Sequence, residues 1–185
     1  MIIDGQFLFT GTSNGASGGI TSTAYTDAPT TGTQDCSNIV DIGIKSGIPT
    51  SASGGGARDL GIGDKPALKL LFQVVTAFTG GTSLQLQLQG APDNGSGAPG
   101  SYVVLWASNA IPEANLTSGS DIGNIFFPQP EPGQSIPRFL KVTCVSVGTH
   151  TAGTIECAVV LDQIQQIVTA GGYNSGYPAG ITIAN

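Results

Sequence analysis

His150 is the only histidine in the 185 residues, and it sits in the turn-like stretch Gly148-Thr-His-Thr-Ala-Gly153. No second histidine and no carboxylate motif stands near it, so it reads as an exposed turn residue rather than a general base. The usual zinc arrangements, which need several His or Cys ligands, are missing for the same reason. No Gly-x-Ser-x-Gly elbow presents a nucleophile. Gly61-Ile-Gly-Asp-Lys65 has the flavour of a phosphate loop, but Pro66 stands where a magnesium-binding Ser or Thr is required. That segment reads as a tight turn. The acids Asp4, Asp41, Asp59, Asp64, Asp121 and Asp162 are dispersed at strand ends and turns, where aspartate caps backbone groups. Asn115-Leu-Thr117 fits a glycosylation acceptor pattern, which carries little weight without a secretory signal. Trp106 and Phe126-Phe127 read as core rather than as a sugar-stacking platform. The residues carry no catalytic signature, and neither enzymatic activity, cofactor nor metal is expected.

Cys36, Cys144 and Cys157 are odd in number and widely spaced, a poor disulfide framework. Cys144 and Cys157 lie in apolar runs and read as small core residues that face each other across adjacent strands. Met1-Ile-Ile-Asp-Gly lacks the basic and apolar segments of a signal peptide. Synthesis in a reducing cytoplasm is therefore expected, with all three thiols free.

Composition narrows the frame that must position these residues. Only 10% of residues are charged, against about 25% in an average soluble domain. Gly, Ser and Thr together make up about a third of the chain. Long helices and coiled coils are excluded by such a composition, and disorder fits poorly with 39% hydrophobic residues. The six basic residues are scattered singly in a chain of net charge −6, so no stripe exists to neutralise phosphates. Neither direct nucleic-acid binding nor a membrane span is expected.

The strongest periodicity is Leu84-Gln-Leu-Gln-Leu-Gln89, a half-buried strand with leucines on one face and glutamines on the other. Leu68 to Phe78 is nearly continuous apolar sequence, as in a strand buried on both faces. Gly80-Gly81 between them predicts a tight hairpin of 68–78 with 82–90. Weaker runs are Ile2–Phe9, Asn38–Ile44, Tyr102–Ala107, Asn124–Pro128, Phe139–Val147 and Thr154–Asp162. In the last of these Ile155, Cys157, Val159 and Leu161 share one face. About eight strands predict an all-β, two-sheet antiparallel sandwich, with a jelly roll ahead of an immunoglobulin-like arrangement, which lacks its Cys…Trp…Cys signature. The whole of 1–185 reads as one domain, with a long loop at about 11–37 and a C-terminal arm at about 165–185. A second Gly-rich loop is expected at 48–57.

The order of several short segments carries a resemblance. Asn38-Ile-Val-Asp-Ile-Gly43 and Asp59-Leu-Gly-Ile-Gly63 precede Val75 to Gln89 with Pro92-Asp93 beyond it. Ile111-Pro112 and Leu116 to Gly119 come next. Arg138-Phe-Leu-Lys-Val142, Thr151-Ala-Gly-Thr154, Val160-Leu-Asp162 and Tyr177-Pro-Ala-Gly180 follow. This series, over about residues 38–180, resembles the capsid cement (decoration) proteins of tailed bacteriophages, of the type found in a Bordetella podophage. The resemblance implies a jelly-roll subunit on the outer surface of the head, assembled in the host cytoplasm and clamping neighbouring major capsid subunits without covalent cross-links. It also implies a dimer or trimer with other copies of the chain and no catalytic residues. The Gly/Ser/Thr-rich insertion at 11–33 and the tail beyond Gly180 depart from the pattern. A phage fibre or carbohydrate-binding sandwich is the alternative, and a small hydrolase a third.

The termini are the candidate partner interface. Ile2–Phe9 and Tyr173–Ile183 carry apolar residues at alternate positions, and extended arms can add strands to a neighbour's sheet. Phe7, Phe9, Tyr173, Tyr177, Ile181 and Ile183 are the expected anchors, tyrosine combining apolar area with a hydroxyl.

Overall fold

The structure, a computed structural model, describes residues 3–12, 20–43, 69–123, 125–126 and 137–160. Within these the chain is nearly all strand, in one large antiparallel sheet. The elements in chain order are β1 (Ile3–Leu8), β2 (Thr21–Ser22), β3 (Asp27–Ala28), β4 (Gly32–Asp35), β5 (Val40–Asp41), β6 (Lys69–Ala91), β7 (Val103–Ala107), β8 (Ile111–Pro112), β9 (Ile125–Phe126) and β10 (Phe139–Val160). A single 3-10 turn, Glu113–Asn115, follows β8.

The 23-residue β6 and the 22-residue β10 pair along their full lengths, from Lys69 opposite Val160 to Ala91 opposite Phe139. All other strands are short and flank this ribbon. At the Ala91–Phe139 end, β4 and β5 add to β10 while β7 and β8 add to β6. At the Lys69–Val160 end, β1 and β3 add to β10 and β9 adds to β6. Val74 N–H donates to Ser120 O, and the Gly119 and Ile122 N–H groups donate to Val74 O and Phe72 O, extending that flank.

The predicted hairpin turning at Gly80-Gly81 does not form; β6 runs straight through both glycines. Phase explains why. A two-residue turn there would set Leu84, Leu86 and Leu88 directly opposite Ala77, Val75 and Gln73, and directly opposed residues share a face. The leucines would then part from Phe72, Val74 and Phe78. In the continuous strand every even position from Leu70 to Leu88 faces one way, and Leu70, Phe72, Val74, Phe78, Leu84, Leu86 and Leu88 enter one core cluster.

β10 reaches the same core by shifting phase. Its core residues are Leu140, Val142 and Cys144 before the middle, but Ile155, Cys157 and Val159 after it. Val147 opposes Ser83 and Ile155 opposes Val74, with register irregularities between them. That interval takes nine steps on β6 and eight on β10, and the odd residue moves β10's inward set from even to odd numbers. The irregularities run from Val147 to Ile155 and include Gly148 and Gly153, whose φ of 78° and 131° lie in the region open to glycine. The predicted strand Phe139–Val147 and the described part of the predicted strand Thr154–Asp162, up to Val160, are thus one; Leu161 and Asp162 lie outside the described residues.

Both halves of the ribbon contribute to this one cluster, which Phe9, Cys36, Val40, Ile42 and Leu116 complete. A smaller cluster of Leu8, Leu71, Ala158 and Val160 lies on the other face of the Lys69–Val160 end. The expected burial on both faces over 68–78 holds for Leu70, Leu71 and Phe72, whereas Val75 is 39% exposed. The expected long loop at 11–37 differs: β2, β3 and β4 form within it. The polar sequence there is tied by Asp27, which is fully buried and accepts from the Gly11 N–H at 2.9 Å, the Ser37 N–H at 2.8 Å and the Ser37 hydroxyl at 2.8 Å. Such bonding lets a carboxylate stay in the interior.

Candidate partner interface

Of the six residues proposed as anchors, two fall within the described residues. Phe9 is fully buried in the main core, its N–H donating to Cys157 O at 2.8 Å and its carbonyl accepting from Asn38 N–H at 2.9 Å. Phe7 packs partly against the same cluster. β1 pairs with β10 of its own chain, so Phe7, Leu8 and Phe9 serve this chain's own sheet and core. Tyr173, Tyr177, Ile181 and Ile183 lie outside the described residues, as do the 48–57 loop, the Gly61–Lys65 turn and Phe127.

His150 is not an exposed turn residue. It lies within β10 and is only 2% exposed. Its ring meets Phe78 edge-on at 5.0 Å between centroids, and Nε2 lies 3.4 Å from Ser83 O. The reason is local: Gly81 has no side chain, and the imidazole occupies the space a Cβ there would need, 2.1 Å from its Cε1. Histidine fills a core niche where the ribbon's register shifts, packed against Phe78 and Ser83 rather than a carboxylate. Among the described residues no group of three His, Cys, Asp or Glu side chains is placed to hold a metal ion.

Trp106 is core-associated as expected, stacked on Phe72 with centroids 5.2 Å apart and planes 5° from parallel. Phe126 differs: it is 62% exposed, at the short β9, with Lys69 Nζ 5.3 Å from its ring centroid. Two consecutive β7 residues, Val103 and Val104, are about half exposed. β7 ends the strand order on its side of the sheet, and its five residues bear no charge. Natural edge strands are commonly guarded by charge or proline. β4, the edge beside β10, has such a guard: Asp35 is bonded to Lys141 Nζ at 2.8 Å.

The outward face between these edges is mostly amide and hydroxyl, with Lys141 paired to Asp35 at its side. Gln89 Nε2 donates to Gln87 Oε1 at 3.2 Å, Gln87 Nε2 to Gln85 Oε1 at 3.4 Å, and Gln85 Nε2 to Ser108 O at 2.8 Å. One amide thus satisfies the next along the strand. Charge collects at the end of the ribbon instead. The Arg138 guanidinium pairs with Asp41, Nε to Oδ1 at 2.9 Å, and with Asp93. The Asp41 hydrogen bond, then Asp93, pushes the guanidinium's pKa further up. Asp93 is held below the usual carboxylate value by the Gly97 and Gly95 N–H groups and then by Arg138. Asp35 is likewise lowered: burial alone would raise it, but bonds from Lys141 and Thr143 outweigh that. These are closed ion pairs, each acid already matched by donors. Sequence reasoning missed Asp27; its only signal was a lone acid in a Gly/Ser/Thr-rich stretch.

These features define a nearly all-β protein built on one bent antiparallel ribbon, with an outer face mostly of amides and hydroxyls and an unguarded apolar edge. The Bbp16 family model matches residues 22–159, and the chain belongs to this family, whose name points to a protein of a Bordetella phage. A comparison with curated proteins matches none to the chain.

Proposed function

We propose that the chain is a structural virion protein, a cement or decoration subunit on the outer surface of a tailed-phage head that clamps neighbouring major capsid subunits non-covalently. Membership of a phage protein family over 22–159 is the observation that carries this reading. The surface supports it. A clamping protein works through many modest contacts repeated over a lattice, which suits an amide-lined face and an uncharged edge strand. In this reading the two halves of the ribbon act as the two sheets of a jelly roll, since both turn the same face to one core. The C-terminal segment, with Tyr173, Tyr177, Ile181 and Ile183, remains the proposed anchor to the capsid or to another copy.

Purified particles provide the test. Quantitative mass spectrometry should find the chain at a fixed ratio to the major capsid protein, and cryo-EM should place it on the head exterior. A chain lacking residues 171–185 should keep its fold, read by circular dichroism, and bind bare heads more weakly. Recovery of the chain only with tail fibres, at a copy number unrelated to the capsid, would overturn the reading in favour of the fibre alternative.

A further inference from the structure

The main core contains an unusual convergence of sulfur. Cys36, Cys144 and Cys157 are all buried and carry free thiols. They arrive from different parts of the fold: Cys36 just after β4, Cys144 from one half of β10, and Cys157 from the other. Cys36 Sγ lies 3.7 Å from Cys144 Sγ, and Cys157 belongs to the same core cluster. The backbone fixes this approach, because Cys36 N–H donates to Val142 O at 2.8 Å and Gln34 pairs with Cys144. The two cysteines are diagonal neighbours across the β4–β10 pairing, so closing 3.7 Å to the roughly 2.05 Å of a disulfide takes side-chain rotation together with a shift of the Cys36 backbone. Cys144 and Cys157 do not face each other across adjacent strands, since both belong to β10.

We propose that Cys36 and Cys144 are an oxidisable pair, converted by a hydroperoxide to a disulfide that ties the β4–β5 connection to the first half of β10. In the first step one sulfur attacks the peroxide, the O–O bond breaks, and water leaves with a sulfenic acid formed. In the second the other sulfur displaces the sulfenic oxygen as a second water, closing the S–S bond. Two thiols and one hydrogen peroxide give one disulfide and two waters; the sulfurs lose two electrons and the peroxide oxygens gain them.

Cys36 is the entry point. It is 4% exposed against 0% for Cys144, and it lies outside any strand, so opening the 36–39 connection uncovers it without breaking the ribbon. Contact with Cys36 and burial hold the Cys144 thiol well above its ordinary value, so the pair stays protonated at neutral pH and reacts slowly there. The expected behaviour is a lock that is open in a reducing cell and closes on exposure to oxidant. This inference stands on the thiol geometry and is independent of the virion reading.

The full-length chain, freed of reductant, is treated with hydrogen peroxide at mildly alkaline pH and mapped by mass spectrometry. The wild type and Cys157→Ser should each lose two hydrogens and yield a peptide linking Cys36 to Cys144. Cys36→Ser and Cys144→Ser should yield no such link. The oxidised wild type should melt higher than the reduced form and return to it with dithiothreitol, because the cross-link closes a loop between residues 108 apart. A link through Cys157, sulfinic acid without a link, or thiols unreactive until the chain is unfolded would each overturn the proposal. The wild-type peptide map carries the test even where a serine variant fails to fold.

Discussion

The two ends of the β6–β10 ribbon share one inward face but differ on the other. At the Ala91–Phe139 end the outward side carries Gln85, Gln87 and Gln89 opposite Val145, Thr143 and Lys141. At the Lys69–Val160 end it carries Leu71, Ala158 and Val160, closed over by Leu8. One end is a half-buried strand pair and the other is packed on both sides. A fully buried leucine contributes about 1.5–3 kcal/mol relative to an exposed one, so the second cluster anchors that end while the glutamine end keeps a free face.

The largest effect should come where the inward face is densest. Phe72 is fully buried and stacked on Trp106, and Phe72→Ala should cost about 3–5 kcal/mol in urea unfolding. Leu86→Ala on the inward face and Leu71→Ala on the outward face should each cost about 2–5 kcal/mol. Gln87→Ala, on the same outward side as Leu71 but at the other end, should cost under about 1 kcal/mol. A Leu71→Ala loss as small as that of Gln87→Ala would erase the distinction between the ends.

Between the ends lies the bend, where Gly81 gives way to the His150 ring. Gly81→Ala should cost about 1–3 kcal/mol by overpacking, since Phe78 backs the imidazole. The cost should shrink in a His150→Ala background, where the ring is gone. Additive losses in that double-mutant cycle would show that the glycine is kept for its backbone and not for the histidine.

Much of this contrast was present in residue spacing. The Leu/Gln alternation of 84–89 and the continuous apolar run before it distinguished the one-sided from the two-sided end. The even phase running from Leu70 through Leu88 also argued for one strand, but Gly80-Gly81 is the same local signal as a two-residue turn. Only the partner, β10, decides between them, and a pairing some 70 residues away leaves no local mark. His150 was misjudged for a related reason: the glycines around it belong to a bend inside a strand, not to an exposed loop. Phe9 alternated correctly, yet alternation does not say whose sheet a strand joins. β2, β3 and β4 are two to four residues long and polar, held by the buried Asp27 rather than by any apolar pattern.

The smallest effects concern charge, and their signs should oppose each other at the two ends. Asp35, beside the glutamine face, has its pKa below its ordinary 3.8 because Lys141 and Thr143 outweigh burial. A lowered folded-state value contributes stability that is fully present above 3.8 and lost as the pH falls through the folded value. Asp35→Asn should therefore destabilise at pH 7 and have little electrostatic effect at strongly acid pH. The loss should be small, because the Asp35 side chain is 50% exposed and solvent screens the pair. Glu156, on the outward side of the other end opposite Gln73, is pushed above its ordinary 4.5 by burial. Its ionised form is disfavoured in the folded chain, a penalty present at neutral pH and relieved as the pH falls through the folded value toward 4.5 and below. Glu156→Gln should thus raise the urea midpoint at pH 7 and leave it unchanged at pH 3. Parallel urea titrations at the two pH values check both variants. Destabilisation by Glu156→Gln at pH 7 would mean that its carboxylate is stabilised by partners, and that the closed end of the ribbon is no more desolvated than the open one.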